Sequence, residues 1–150
     1  HNLIQFTALQ EIIAGWLELE LGHYHHISDS LHVYERDLDI VSSATVVPAI
    51  TSDSLSLPKV ASEQAFGVMT SAIERIIDER HSATALLELS GETSLPSGYH
   101  NMLLILIAEG LRRRKAADLA VQVVSGCTSL ALSSMWLEWT ERIANKNKLA

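Results

Sequence analysis

His32 and Tyr34 stand two residues apart in a stretch rich in β-forming residues. On an extended chain, side chains two apart point to the same side, so an imidazole and a phenol would converge on one small patch. Each can donate and accept hydrogen bonds, which suits a sugar hydroxyl; equally, both could be satisfied at a sheet edge. Three more histidines, His23, His25 and His26, crowd the preceding residues. A zinc site needs three or four ligands with supporting partners, and no cysteine stands nearby, so these read as surface or cleft histidines and no metal is expected. Cys127 sits between Gly126 and Thr128 with no adjacent histidine or base to lower its pKa. It reads as a buried helix-end residue, not a nucleophile. The block Arg112-Arg113-Arg114-Lys115 suits a helix C-terminus, where positive charge is favoured. It is a solvated helix end or an anion contact.

The elements that must position these groups follow from hydrophobic periodicity. Leu3, Ile4, Phe6, Leu9, Ile12, Ile13, Trp16 and Leu17 make one wide apolar helical face, with Gly22 placed to stop the helix. From 23 to 34 the pattern shifts towards alternation and predicts a strand. Residues 42–61, rich in Ser, Thr and Ala with Pro48 and Pro58, read as a linker. Beyond them the chain reads as helical. Phe66, Met69, Ile73, Ile76 and Ile77 form a stripe with Ser62 as N-cap. The run 99–111 is apolar nearly all round, as in a buried helix. Residues 116–124 make a short helix closed by Gly126. Leu132, Trp136, Trp139 and Ile143 share a face of the last helix, which reads as core or packing interface, and the last two helices could form a hairpin. The fold class expected is α+β, predominantly helical.

Composition narrows the function classes. The 150 residues, 47% apolar, suffice for one sizeable core. With 18 acidic against 11 basic residues the net charge is −7, which argues against nucleic-acid binding. The longest apolar run is too short for a membrane span. One cysteine excludes an internal disulfide, and with no visible signal peptide the expected location is cytoplasmic.

Gly22, Tyr24, His26, His32 and Tyr34 together form Gly-x-[Phe/Tyr]-x-His-x5-His-x-Tyr. This pattern resembles the nucleotide-binding strand of thymidylate synthases and related pyrimidine hydroxymethylases. In that family the strand follows a long apolar helix opened by Pro-Phe-Asn. Here His1-Asn2 matches the last two positions, with His1 in place of Phe, and the interval from Asn2 to His32 needs no gap. The resemblance covers about residues 1–40. It implies a helix plus strand of thymidylate synthase type in a nucleotide-binding segment, 1–41, with the linker 42–61 and a helical region of unplaced role, 62–150, packed with it as one unit.

The resemblance also implies roles. Asn2 would face the base, its carboxamide pairing with N3–H and O4 of uracil, where cytosine-specific hydroxymethylases carry aspartate. His32 and Tyr34 would hold the deoxyribose 3′-hydroxyl, and His26 would be structural. In the family a cysteine thiolate adds to C6 and makes C5 nucleophilic towards a methylene carried by tetrahydrofolate. That cysteine and the phosphate-binding arginines lie upstream of the matched region, so this segment alone should be inactive and need no cofactor. The family implies a homodimer. The C-terminal residues 145–150 depart from the family's apolar tail. A reading from a different class is a helical interaction or dimerisation module without catalysis.

Overall fold

The computed structural model describes residues 2–27, 32–39 and 53–148, with all their side chains except those of Asn2 and residues 146–148. The described elements are helices α1 (Asn2–Trp16), α2 (Lys59–Ile77), α3 (Ala83–Leu89), α4 (Ser97–Arg113), α5 (Ala117–Ser125) and α6 (Leu130–Lys148), with a 3-10 turn at Glu35–Asp37. No helix among them is long and apolar enough to cross a membrane.

α4 is the axis of the molecule. Leu103, Leu104, Ile107, Ala108 and Leu111 are buried on it, and α2, α3, α5 and α6 all pack around it. A helix apolar on most sides needs cover on most sides, and here it has it. α5 folds back onto α4 as its most extensive neighbour, while α6 also packs on α4. The expected hairpin of the last two helices is therefore displaced. An apolar groove of about 300 Å³ lies between α5 and α6, lined by Ala120, Val121, Trp136, Leu137 and Ile143. Trp136 is buried, but Trp139 on the same face is exposed.

On α2 the buried side is Ser62, Ala65, Met69 and Ala72, with Phe66 and Ile76 packed against the core. The small residues let α4 approach closely. Ile73 and Ile77, read as part of the stripe, stay exposed. Ser62 is not the N-cap. Pro58 holds that position, and the Ser62 hydroxyl donates back to the Leu57 carbonyl at 3.4 Å. Pro96 opens α4 in the same way; proline's fixed φ and missing N–H cost nothing at a helix start.

The fold-class expectation requires correction. The described residues contain no strand and are predominantly helical, so the helix plus strand of thymidylate synthase type is not supported. Residues 19–27 and 32–34 are irregular, without a ladder partner. Alternating β-formers favour extension, but only pairing with a neighbouring strand makes a sheet, and no described segment offers that edge. Nor does Gly22 stop α1. Glu18 does, with φ of 54°. Its N–H donates to Gly15 O at 3.2 Å and Leu19 N–H donates to Ala14 O at 2.9 Å, the paired bonds of a Schellman end. Lys115, φ 62°, ends α4 through the same two bonds, Lys115 to Arg112 O and Ala116 to Leu111 O, both 3.0 Å. Gly126 closes α5 as read.

Candidate functional site

α1 and the chain that follows it carry the site residues, and three contacts fix α1 on the helical body. Gly15 passes against the Leu57 backbone so closely that a Cβ there would lie 2.5 Å from its nitrogen. The Glu11 carboxylate accepts from Ser54 Oγ at 2.8 Å and from Leu55 N–H at 2.9 Å. Trp16 meets Phe66 edge to face at 6.4 Å, and Phe66 meets Tyr99 likewise at 5.9 Å. Tyr99 closes the set by donating from its hydroxyl to Leu55 O at 2.9 Å. Segment 53–58, within the stretch read as linker, is thus packed between α1 and α4; residues 42–52 lie outside the described ones.

The chain then turns back along α1, held by Gln10 Nε2 donating to Gly22 O at 3.3 Å. His23, Tyr24 and His25 line an open groove of about 510 Å³ with Phe6, Leu9 and Ile13. His23 and His25 approach edge to face at 6.4 Å, while Tyr24 stacks on His26 at 6.5 Å. No group of three possible metal ligands occurs among the described residues. His23 and His25 present aromatic surface to that groove.

His32 and Tyr34 are brought together, their rings edge to face at 5.3 Å. Tyr34 is 59% exposed, and neither side chain makes a hydrogen bond among the described residues. Two polar groups are thus presented side by side with their hydrogen-bonding capacity free. The Tyr34 backbone is extended (φ −72°, ψ 143°) and caps the 3-10 turn, Asp37 N–H donating to its carbonyl at 2.8 Å. Arg36, which the sequence reading missed, places its guanidinium carbon 5.1 Å from the Tyr34 ring centroid and its Nε 3.8 Å from the Asp37 carboxylate. Its signal was the same alternation carried one step further: 32, 34, 36. Asn2 opens α1, but its side chain lies outside the described residues, so its convergence with the pair is not part of the observed geometry.

Val33, Glu35, Arg36 and Leu38 beside the pair are exposed.

Cys127 is half-buried just beyond α5, and burial pushes its thiol pKa up. A thiol so placed is a poor nucleophile. The cationic block at the end of α4 is occupied too. Arg112 and Arg113 both grip Glu109, at 2.7 and 2.9 Å. Arg114 donates to three backbone carbonyls, His81 at 2.9 Å, Gly110 at 3.1 Å and Asp78 at 2.7 Å. Arg114 staples the turn between α2 and α3 to the end of α4.

Over 36 residues the chain is 53% identical to a deoxyuridylate hydroxymethyltransferase of Bacillus phage SP01. That stretch is 24% of this chain and spans only 9% of the phage protein's length. No protein-family model matches the chain, and no solved structure does. The likeness is therefore to a short segment of a pyrimidine hydroxymethyltransferase, one of the two kinds of enzyme whose motif residues 22–34 resemble, and it hints at a thymidylate synthase-like origin for that segment.

Proposed function

We propose that this chain recognises the base and deoxyribose of a pyrimidine monophosphate, dUMP or a close analogue, as part of a thymidylate synthase-like protein that transfers a one-carbon unit to C5. The observation that carries the reading is the 53% identity over 36 residues to a deoxyuridylate hydroxymethyltransferase. The geometry is compatible with it. His32 and Tyr34 stand side by side with hydrogen-bonding groups free, as binding one sugar hydroxyl needs. Asn2 is the base-reading residue, its carboxamide matching a uracil edge. In this reading the chain's own part is binding.

Asn2→Asp in the intact protein tests the base assignment. Exchange of the amide for a carboxylate should shift preference from dUMP towards dCMP, since a carboxylate accepts from the exocyclic amino group but clashes with O4. Equal dUMP and dCMP affinities in the unaltered protein would remove it.

A second reading, a dimerising helical module, draws on the exposed apolar residues of α1 (Leu3, Ile4, Phe6, Leu9). It expects a second copy of the chain on that face, and no effect of nucleotide on any property of the protein.

A further inference from the structure

We propose that Arg36 is a positioning residue for Tyr34, holding the phenol in place to share one ligand hydroxyl with His32; this rests on the nucleotide reading above. The three side chains alternate along the chain at 32, 34 and 36. His32 meets the Tyr34 ring edge to face at 5.3 Å, and the Arg36 guanidinium carbon lies 5.1 Å from that ring's centroid. The 3-10 turn fixes the spacing, because Asp37 N–H bonds to Tyr34 O and its carboxylate pairs with Arg36 Nε at 3.8 Å.

A cation beside a nucleotide site has two possible uses: to contact the phosphate, or to hold a neighbouring side chain. Local charge decides between them. Arg36 contributes +1, while Glu35 and Asp37 on either side of it contribute −2, leaving −1 around any incoming phosphate. Surface fields of that sign repel a dianion. The ring contact is unaffected by them, since a guanidinium is drawn to an aromatic face by the ring's own quadrupole. A tyrosine 59% exposed otherwise samples several rotamers. Stacking selects among them, so the hydroxyl of Tyr34 is offered on the patch that His32 faces.

The test is equilibrium binding of dUMP and of its 3′-deoxy counterpart, 2′,3′-dideoxyuridine monophosphate, to the full chain. The unaltered protein should prefer dUMP by about tenfold, the worth of one well-made hydroxyl contact. Arg36→Ala should weaken dUMP about threefold, the scale of an exposed cation–π contact, and leave the dideoxynucleotide unchanged. Arg36→Lys should retain most of the preference. Equal weakening of both nucleotides, with deoxyuridine unaffected, would make Arg36 a phosphate contact and overturn the proposal. So would an unchanged preference in Arg36→Ala while Tyr34→Phe abolishes it, and there the nucleotide reading survives. No preference in the unaltered protein removes the hydroxyl-binding reading and the positioning role together.

Discussion

The backbone of Leu57 occupies the space that a side chain on Gly15 would need, with a Cβ there only 2.5 Å from the Leu57 nitrogen and 2.7 Å from its carbonyl oxygen. Because this contact is backbone to backbone, it cannot relax by turning a rotamer. Gly15→Ala should therefore lift α1 from segment 53–58, at a cost of about 1–3 kcal/mol, and raise hydrogen exchange selectively in α1. Gly67 gives the contrast. Nothing lies within 4 Å of a Cβ there, and it is interior to α2. Gly67→Ala should stabilise by about 0.5–1 kcal/mol in urea unfolding.

Asn101 is buried and joins three segments. Its Nδ2 donates to both Asp53 oxygens at 3.0 and 3.1 Å and to Thr128 Oγ1 at 2.9 Å, and its Oδ1 accepts from Thr128 N–H at 3.0 Å. Asn101→Ala strands the Thr128 N–H and removes the Asp53 carboxylate's donor. The expected loss is about 2–4 kcal/mol, read as a lower urea midpoint. A loss below about 0.5 kcal/mol would mean that water replaces the amide without penalty.

Much of the helical body was legible because helix burial is periodic. The apolar run 99–111 and the place of Met69 follow from spacing alone. The Asp53–Asn101–Thr128 junction was not, since its members are 48 and 27 residues apart and no local pattern links them. The same limit applies to the strand expected over 23–34, where alternation describes one strand and says nothing of a partner. Glu18 was overlooked as a helix end, and Lys115, inside the block read as a helix C-terminus, was not recognised as its left-handed residue, because a Schellman end is made by backbone bonds, which tolerate a non-glycine residue at a cost of about 1–2 kcal/mol. At the site, His32 and Tyr34 do converge, as their spacing suggested, while Arg36 was passed over because it follows the motif's last matched residue.

Acid should weaken the fold partly through Glu109. Its hydrogen bond with Arg112, together with the charges of Arg112 and Arg113, holds its carboxyl below the usual glutamate range. The unfolded chain therefore takes up the proton at a higher pH than the folded one. The contribution is complete above the unfolded value, and it is lost as pH falls through that value towards the folded one. Asp78 acts in the same direction through Arg80, though Arg80 is exposed and the pair is screened by salt. Glu109→Gln should flatten the fall in unfolding midpoint from about pH 6 to about pH 3. An unchanged slope would assign the acid sensitivity elsewhere.

Titration of the intact protein with dUMP tests nucleotide recognition by the His32–Tyr34 pair most directly. The expected result is saturable binding that weakens at least about tenfold in His32→Ala and in Tyr34→Phe, since each substitution leaves a ligand hydroxyl short of a partner, with thermal unfolding of the free proteins unchanged because both side chains are exposed. Absence of saturable binding, or binding indifferent to both substitutions, would contradict it.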